Sequence, residues 1–184
     1  MDSTAEPLRI PSETKNWTWV LGQPCPECGF DAVHVAFRDV PELTRRNVVA
    51  WGPVLSRPSV GQRPAKLVWS PLEYACHVRD VFRTMNYRLG LMLTRDDPLF
   101  PNWDQDVTAV EDRYWAQDPS TVLAELTEAG HTIADSFEAV PDESIDRTGR
   151  RSDGAVFTVG SLARYFVHDP THHLWDVTSG KPRP

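Results

Sequence analysis

The chain has 184 residues, 40% hydrophobic and 24% charged, with a net charge of −7. That length supports one domain with its own core, and the acidic balance excludes the basic surplus that non-specific nucleic-acid binding requires. No run approaches the ~18 apolar residues of a membrane span, the first twenty residues hold no apolar signal segment, and three cysteines, an odd number, do not suggest a disulfide framework; a cytoplasmic protein is expected.

The first 24 residues read as irregular and polar, with Pro7, Pro11 and Pro24, although the Trp17–Leu21 patch should dock on the body. Cys25-Pro-Glu-Cys28-Gly29 follows as a turn with two thiols. Residues 1–37 are therefore assigned to an N-terminal extension packed on the body, and residues 38–184 to the main domain. A first helix is predicted from near Asp39, with Asp39 as cap and Glu42 at the reciprocal position. Pro41 suits its first turn, and Val48, Trp51 and Leu55 form its apolar face. Pro53 is expected to end or kink it.

The second helix carries the clearest start signal. Ser70 caps it, Pro71 fills the first helical position and Glu73 completes a capping box. Tyr74, Val78, Val81, Met85, Leu89 and Met92 make one stripe, and His77 points inward with them. Residues 95–117 form a long connection, the kind that often serves as a lid or binding loop. A third helix starts after Asp118-Pro119, buries Val122, Leu126, Ile133 and Phe137, and stops at Pro141. Residues 142–157 read as an exposed turn with room for a short hairpin. The fourth helix runs from about Thr158, and Gly180 and Pro182 close the chain. Four amphipathic segments with weak strand signals predict an all-α fold, a four-helix bundle with a crossover connection between the second and third helices.

The fourth helix carries His168 and His172. An i, i+4 pair shares one helix face, so two imidazoles can bind one metal if a third ligand comes from a facing helix. His77 is placed to be that ligand. Three protein ligands leave a position open for water or substrate, the arrangement of a catalytic metal site. Asp80, Asp169 and Asp176 are candidates to orient a ligand imidazole, or are ordinary surface carboxylates. Nitrogen ligands suit zinc, nickel, copper or iron, with zinc the first choice.

An inward histidine on the second helix, a long linker and an H-x3-H pair on the last helix resemble the DinB-like superfamily. It includes the mycothiol-dependent maleylpyruvate isomerases and related thiol S-transferases. The resemblance covers most of residues 38–177. It implies a four-helix bundle with a crossover, often a homodimer, and a divalent metal held by three histidines, which by position are His77, His168 and His172. It also implies presentation of a small thiol such as mycothiol, as thiolate, to an electrophile. Two departures stand out. Pro170 lies between His168 and His172 and removes a backbone donor, which makes His173 a substitute for His172. The Cys25–Cys28 turn is not part of the shared pattern.

The two cysteines have the C-x2-C spacing of a zinc knuckle, with His34 and distant Cys76 as the further ligands considered. A redox pair is the rival, and a tight turn with two small side chains is the leading reading. Cys76 is assigned to core packing. Trp103, Arg164 and Tyr165 are the candidate substrate-binding residues, with Asp104, Trp115 and Trp175 as further lining candidates. Arg79 and Arg83 are either anion-binding or solvated. The expected function is a metal-dependent thiol S-transferase acting on a small electrophile. The alternatives are a metallohydrolase using metal-bound hydroxide and a non-enzymatic metal-binding stress protein.

Overall fold

The computed structural model describes residues 7–11 and 16–179, so the expected closure at Gly180 and Pro182 lies outside the described residues. Within them lie five α-helices: α1 (Val40–Leu55), α2 (Pro71–Thr94), α3 (Gln105–Glu111), α4 (Pro119–Glu138) and α5 (Val159–Thr178). A two-stranded antiparallel hairpin, β1 (Thr148–Arg150) and β2 (Val156–Thr158), precedes α5. The four long helices form the bundle. α4 and α5 each pack on both α1 and α2, so α2 presents one flank to α5. Among the described residues no helix is long and apolar enough to cross a membrane.

Local chemistry sets the helix starts. In α2 the Ser70 hydroxyl accepts from Glu73 N at 3.2 Å, and Glu73 Oε2 accepts from Ser70 N at 2.8 Å. This box satisfies two amides that the helix itself leaves unpaired. Thr158 and Ser161 build a second box on α5, and Asp118 caps α4 through Thr121 N. The expected Asp39 box does not form. Asp39 ends a short 3-10 turn in helical conformation, without a side-chain capping bond. α1 passes through Pro53 and stops two residues later at Leu55.

The stripe of α2 is buried throughout, and with it Trp51, Leu126, Ile133, Phe137 and Phe166. The central crossing is close. A Cβ on Gly130 of α4 would lie 2.2 Å from Val48 Cγ2 and 2.9 Å from Phe82 Cε2. Gly130→Ala is therefore expected to destabilise the fold by about 1–3 kcal/mol through overpacking, despite the gain of about 1 kcal/mol in helix propensity. Urea unfolding at neutral pH measures the difference.

The connection after α2 does not wander. Phe100 N donates to Arg150 O at 2.7 Å and Arg150 N to Pro98 O at 2.8 Å, so residues 98–100 lie along the hairpin. The chain then folds into α3, with Asp104 capping it through the amides of Asp106 and Val107. This route carries Trp103 over the α2–α5 flank.

Candidate metal centre

His77 emerges from α2 fully buried, between two indoles. Trp103 stacks on it with ring centroids 5.8 Å apart, and Trp69 tilts against it at 5.3 Å. Neither ring nitrogen of His77 has a hydrogen-bond partner. A buried imidazole without one is costly. The atoms it faces come from α5: its Nε2 lies 3.5 Å from Asp169 Oδ1, and His173 Nε2 lies 3.7 Å from the same oxygen. Asp169 Oδ1 is itself sealed from solvent and, at these distances, without a hydrogen bond, although the side chain as a whole is 31% exposed. Donor atoms of His77, Asp169 and His173 all lie within 4.8 Å of one another.

These three residues fit a divalent cation. Two imidazole nitrogens and a carboxylate oxygen form a borderline donor set that suits zinc, iron or nickel. Orphaned buried polar atoms converge where the ion would sit. Burial pushes the Asp169 carboxyl up, but His173 and His77 outweigh it and hold the group well below the usual carboxylate range. The ligand orientation is fixed from behind. His173 Nδ1 lies 3.0 Å from Asp176 Oδ2, on a carboxylate that is itself buried. That contact turns the His173 Nε2 edge toward Asp169 and His77. Asp176→Asn is expected to weaken metal affinity about 10–100-fold, measured by competition with a chelating dye.

The expected trio of His77, His168 and His172 is divided between two groups. His168 and His172 are not grouped with His77; they meet Cys25 and Cys28, all four donors lying within 4.8 Å of one another. The reason is helix geometry. Successive residues on an α-helix are about 100° apart, so Asp169 and His173 share a face that His168 and His172 do not. Burial pushes the Cys28 thiol up to about 12, and burial with His172 nearby brings His168 down to about 4. His34 is not near this group. It is exposed and pairs with Asp31 at 2.7 Å.

A cavity of about 520 Å³ opens beside the His77 group. Trp69, Trp103, Asp104, Tyr165, Asp169 and His173 line it, and His168 and His172 border it as well. Of the expected substrate contacts, Trp103 and Tyr165 are there and Arg164 is not among the lining residues. Arg164 instead has a buried, unpartnered Nε. The cation in the cavity wall is Arg151, whose Nη1 donates to the Tyr165 hydroxyl at 3.1 Å. Burial raises the Tyr165 hydroxyl above its ordinary range, with Arg151 opposing. Asp80 does not orient a histidine; it pairs with Arg79 and Tyr114. Cys76 is core, its thiol directed at Gln117 Oε1 at 3.5 Å. Trp175 packs on His172.

Comparison with known proteins agrees with this architecture. The family model described as the DinB superfamily matches residues 42–177. The solved structure of YfiT from Bacillus subtilis is described as a probable metal-dependent hydrolase with an unusual four-helix bundle topology. It superimposes with a TM-score of 0.68 at 19% sequence identity, covering 90% of this chain and 95% of its own. A comparison with curated proteins returns no match.

Proposed function

The chain belongs to the DinB superfamily, and from that premise we propose that it is a metal-dependent enzyme that holds one divalent ion, zinc first among the candidates, on His77, Asp169 and His173. The observation that carries this reading is the convergence of His77 and Asp169 Oδ1, buried atoms without a hydrogen bond, with His173 on one point, where Asp169 and His173 line the cavity. Three protein ligands leave coordination free for a reactant. A divalent ion there supplies Lewis acidity and brings the pKa of an adjacent nucleophile toward ~7.

The chain's own residues supply the rest. Asp176 Oδ2 engages His173 Nδ1, so Nε2 is the nitrogen turned to the ion's position. Trp69 and Trp103 clamp His77 and keep water off its ring. Arg151, steadied by Asp153 and Tyr165, offers a cation to an anionic group of the substrate. The aromatic walls and the ~520 Å³ volume suit a small molecule.

The nucleophile proposed first is water, which makes the protein a hydrolase of a small anionic or neutral substrate. Two histidines and a carboxylate form a ligand set that hydrolytic zinc sites use, and YfiT is itself described as a probable metal-dependent hydrolase. The second reading keeps the site and replaces water by a low-molecular-weight thiol, mycothiol or a similar one, for transfer to an electrophile. The cavity volume favours it as well, since it accommodates a molecule larger than water beside a substrate. Turnover of an ester and amide panel by metal-loaded protein, with and without added thiol, separates the two. Product formed without thiol establishes the hydrolase, and strict thiol dependence establishes the transferase. A metal-loaded sample inert under both conditions would remove the enzyme reading.

A further inference from the structure

Cys25 and Cys28 take no part in the His77 group, yet their turn is closely built. Cys25 N donates to Phe30 O at 2.8 Å, and Gly29 N donates to Cys25 O at 2.9 Å. Gly29 takes a left-handed φ of +75°, which a glycine adopts without strain. The result points both sulfurs at one face of α5. Cys25 Sγ lies 3.6 Å from His172 Nδ1, and Cys28 Sγ lies 3.7 Å from His168 Nε2.

We propose that Cys25, Cys28, His168 and His172 bind a second metal ion, a closed structural zinc that fastens the N-terminal segment to α5. Three observations carry this. The first is spacing. A tetrahedral zinc with Zn–S of about 2.3 Å and Zn–N of about 2.0–2.1 Å places sulfur and nitrogen about 3.6 Å apart, and two of the four sulfur–nitrogen pairs, Cys25–His172 and Cys28–His168, stand at 3.6 and 3.7 Å. A thiol hydrogen bond would account for either pair alone, but not for four donors from two distant segments within 4.8 Å. The second is donor chemistry. Two thiolates and two imidazoles select zinc over magnesium, calcium or manganese. The third is enclosure. Cys25, His168 and His172 are buried, and Trp17 and Phe30 pack on the histidine rings with centroids 5.2–5.9 Å away. Cys28 is half-buried, and His168 and His172 also border the cavity, so it is the four protein ligands that would fill a tetrahedral zinc and leave no position for a reactant.

The site also has orienting partners. His172 Nε2, the nitrogen turned away from Cys25, lies 3.5 Å from Glu27 Oε2 and 3.8 Å from Asp176 Oδ1. Asp176 thus faces His172 with one oxygen and His173 with the other. The closed site therefore anchors the stretch of α5 that carries two ligands of the open one, and loss of the zinc would loosen both.

The test needs no assumption about catalysis. His77→Ala protein, which lacks the open site, is loaded with zinc and examined by X-ray absorption at the zinc edge. The expected result is two sulfur scatterers at about 2.3 Å with two nitrogens at about 2.0–2.1 Å. Cobalt(II) loading should give an intense thiolate-to-cobalt charge-transfer band in wild type and in His77→Ala, lost in Cys25→Ser with Cys28→Ser. A zinc spectrum with only nitrogen and oxygen scatterers would overturn the proposal, as would a wild-type cobalt spectrum without the charge-transfer band. Recovery of Cys25 and Cys28 from the native, metal-replete protein as a disulfide would also overturn it.

Discussion

Asp169→Asn is expected to remove the metal of the open site and lower kcat/KM at least about a thousandfold, the equivalent of about 4 kcal/mol of transition-state stabilisation. The substitution keeps size and shape, so packing is preserved and charge is lost. The carboxylate is the one anionic ligand among His77, Asp169 and His173. Without it, two neutral imidazoles must hold a dication in a buried setting, which is unfavourable. The metal-free fold loses only the attraction of the Asp169 carboxylate to His77 and His173, a smaller effect than the loss of activity. Kinetics at several metal concentrations, with urea unfolding of the metal-free forms, check both halves. A large loss of activity with metal still bound stoichiometrically would assign Asp169 to substrate rather than metal.

The second large effect lies away from the site, at Asp80. Arg79 is buried at 4% exposure and donates from Nε to Asp80 Oδ1 and from Nη2 to Asp80 Oδ2, both at 2.9 Å. Its Nη1 reaches Gln117 Oε1 at 2.7 Å and Glu125 Oε2 at 2.9 Å. Tyr114, fully buried, donates its hydroxyl to Asp80 Oδ2 at 2.6 Å. Asp80→Asn leaves the guanidinium only the more exposed Glu125 carboxylate; removing one partner of a buried pair costs about 3–5 kcal/mol, an upper range here because Glu125 remains. That is a large share of the 5–15 kcal/mol typical of a whole domain, roughly.

The effect has a pH signature. Burial raises the Asp80 carboxyl, but Arg79, Tyr114 and Arg83 outweigh it and hold it below the ordinary carboxylate value. A group whose folded value is depressed stabilises the fold above its unfolded value, about 3.9 for Asp. That contribution fades as pH falls through the folded value. The stability gap between wild type and Asp80→Asn should therefore be full at neutral pH and shrink in acid. A gap independent of pH would mean packing, not charge, is responsible.

Much of the fold is legible because helix starts are local chemistry. The Ser70–Glu73 box, the Asp118 and Thr158 caps and the stripe from Tyr74 to Met92 all rest on spacings within a few residues. Asp39 shows the limit of that logic. A capping residue must leave helical conformation, and the 3-10 turn before α1 keeps Asp39 in it.

The site is legible in composition but not in partition. His77, His168, His172 and His173 are all metal-capable, yet which of them meet depends on the rotation of α5 about its own axis. Tertiary contacts set that rotation. Asn47 donates to Pro170 O at 2.7 Å, and Phe166 stacks on Phe137 with centroids 5.5 Å apart. No local spacing encodes either. A signal was nonetheless present. Asp169 and His173 form a second i, i+4 pair, one residue out of step with His168 and His172. A C-x2-C turn and an H-x3-H pair together make a complete zinc set. Cys25 and Cys28 meet α5, while His34 pairs with Asp31.

The division of the histidines is tested most directly by metal stoichiometry in double variants, with elemental analysis on zinc-loaded, untagged protein. His77→Ala with His173→Ala should retain the same amount of zinc as His77→Ala alone, because both residues serve one site. His77→Ala with His168→Ala should retain none, because each substitution empties a different site. Equal zinc in the two double variants would contradict the division and return His77 and His168 to a single shared centre.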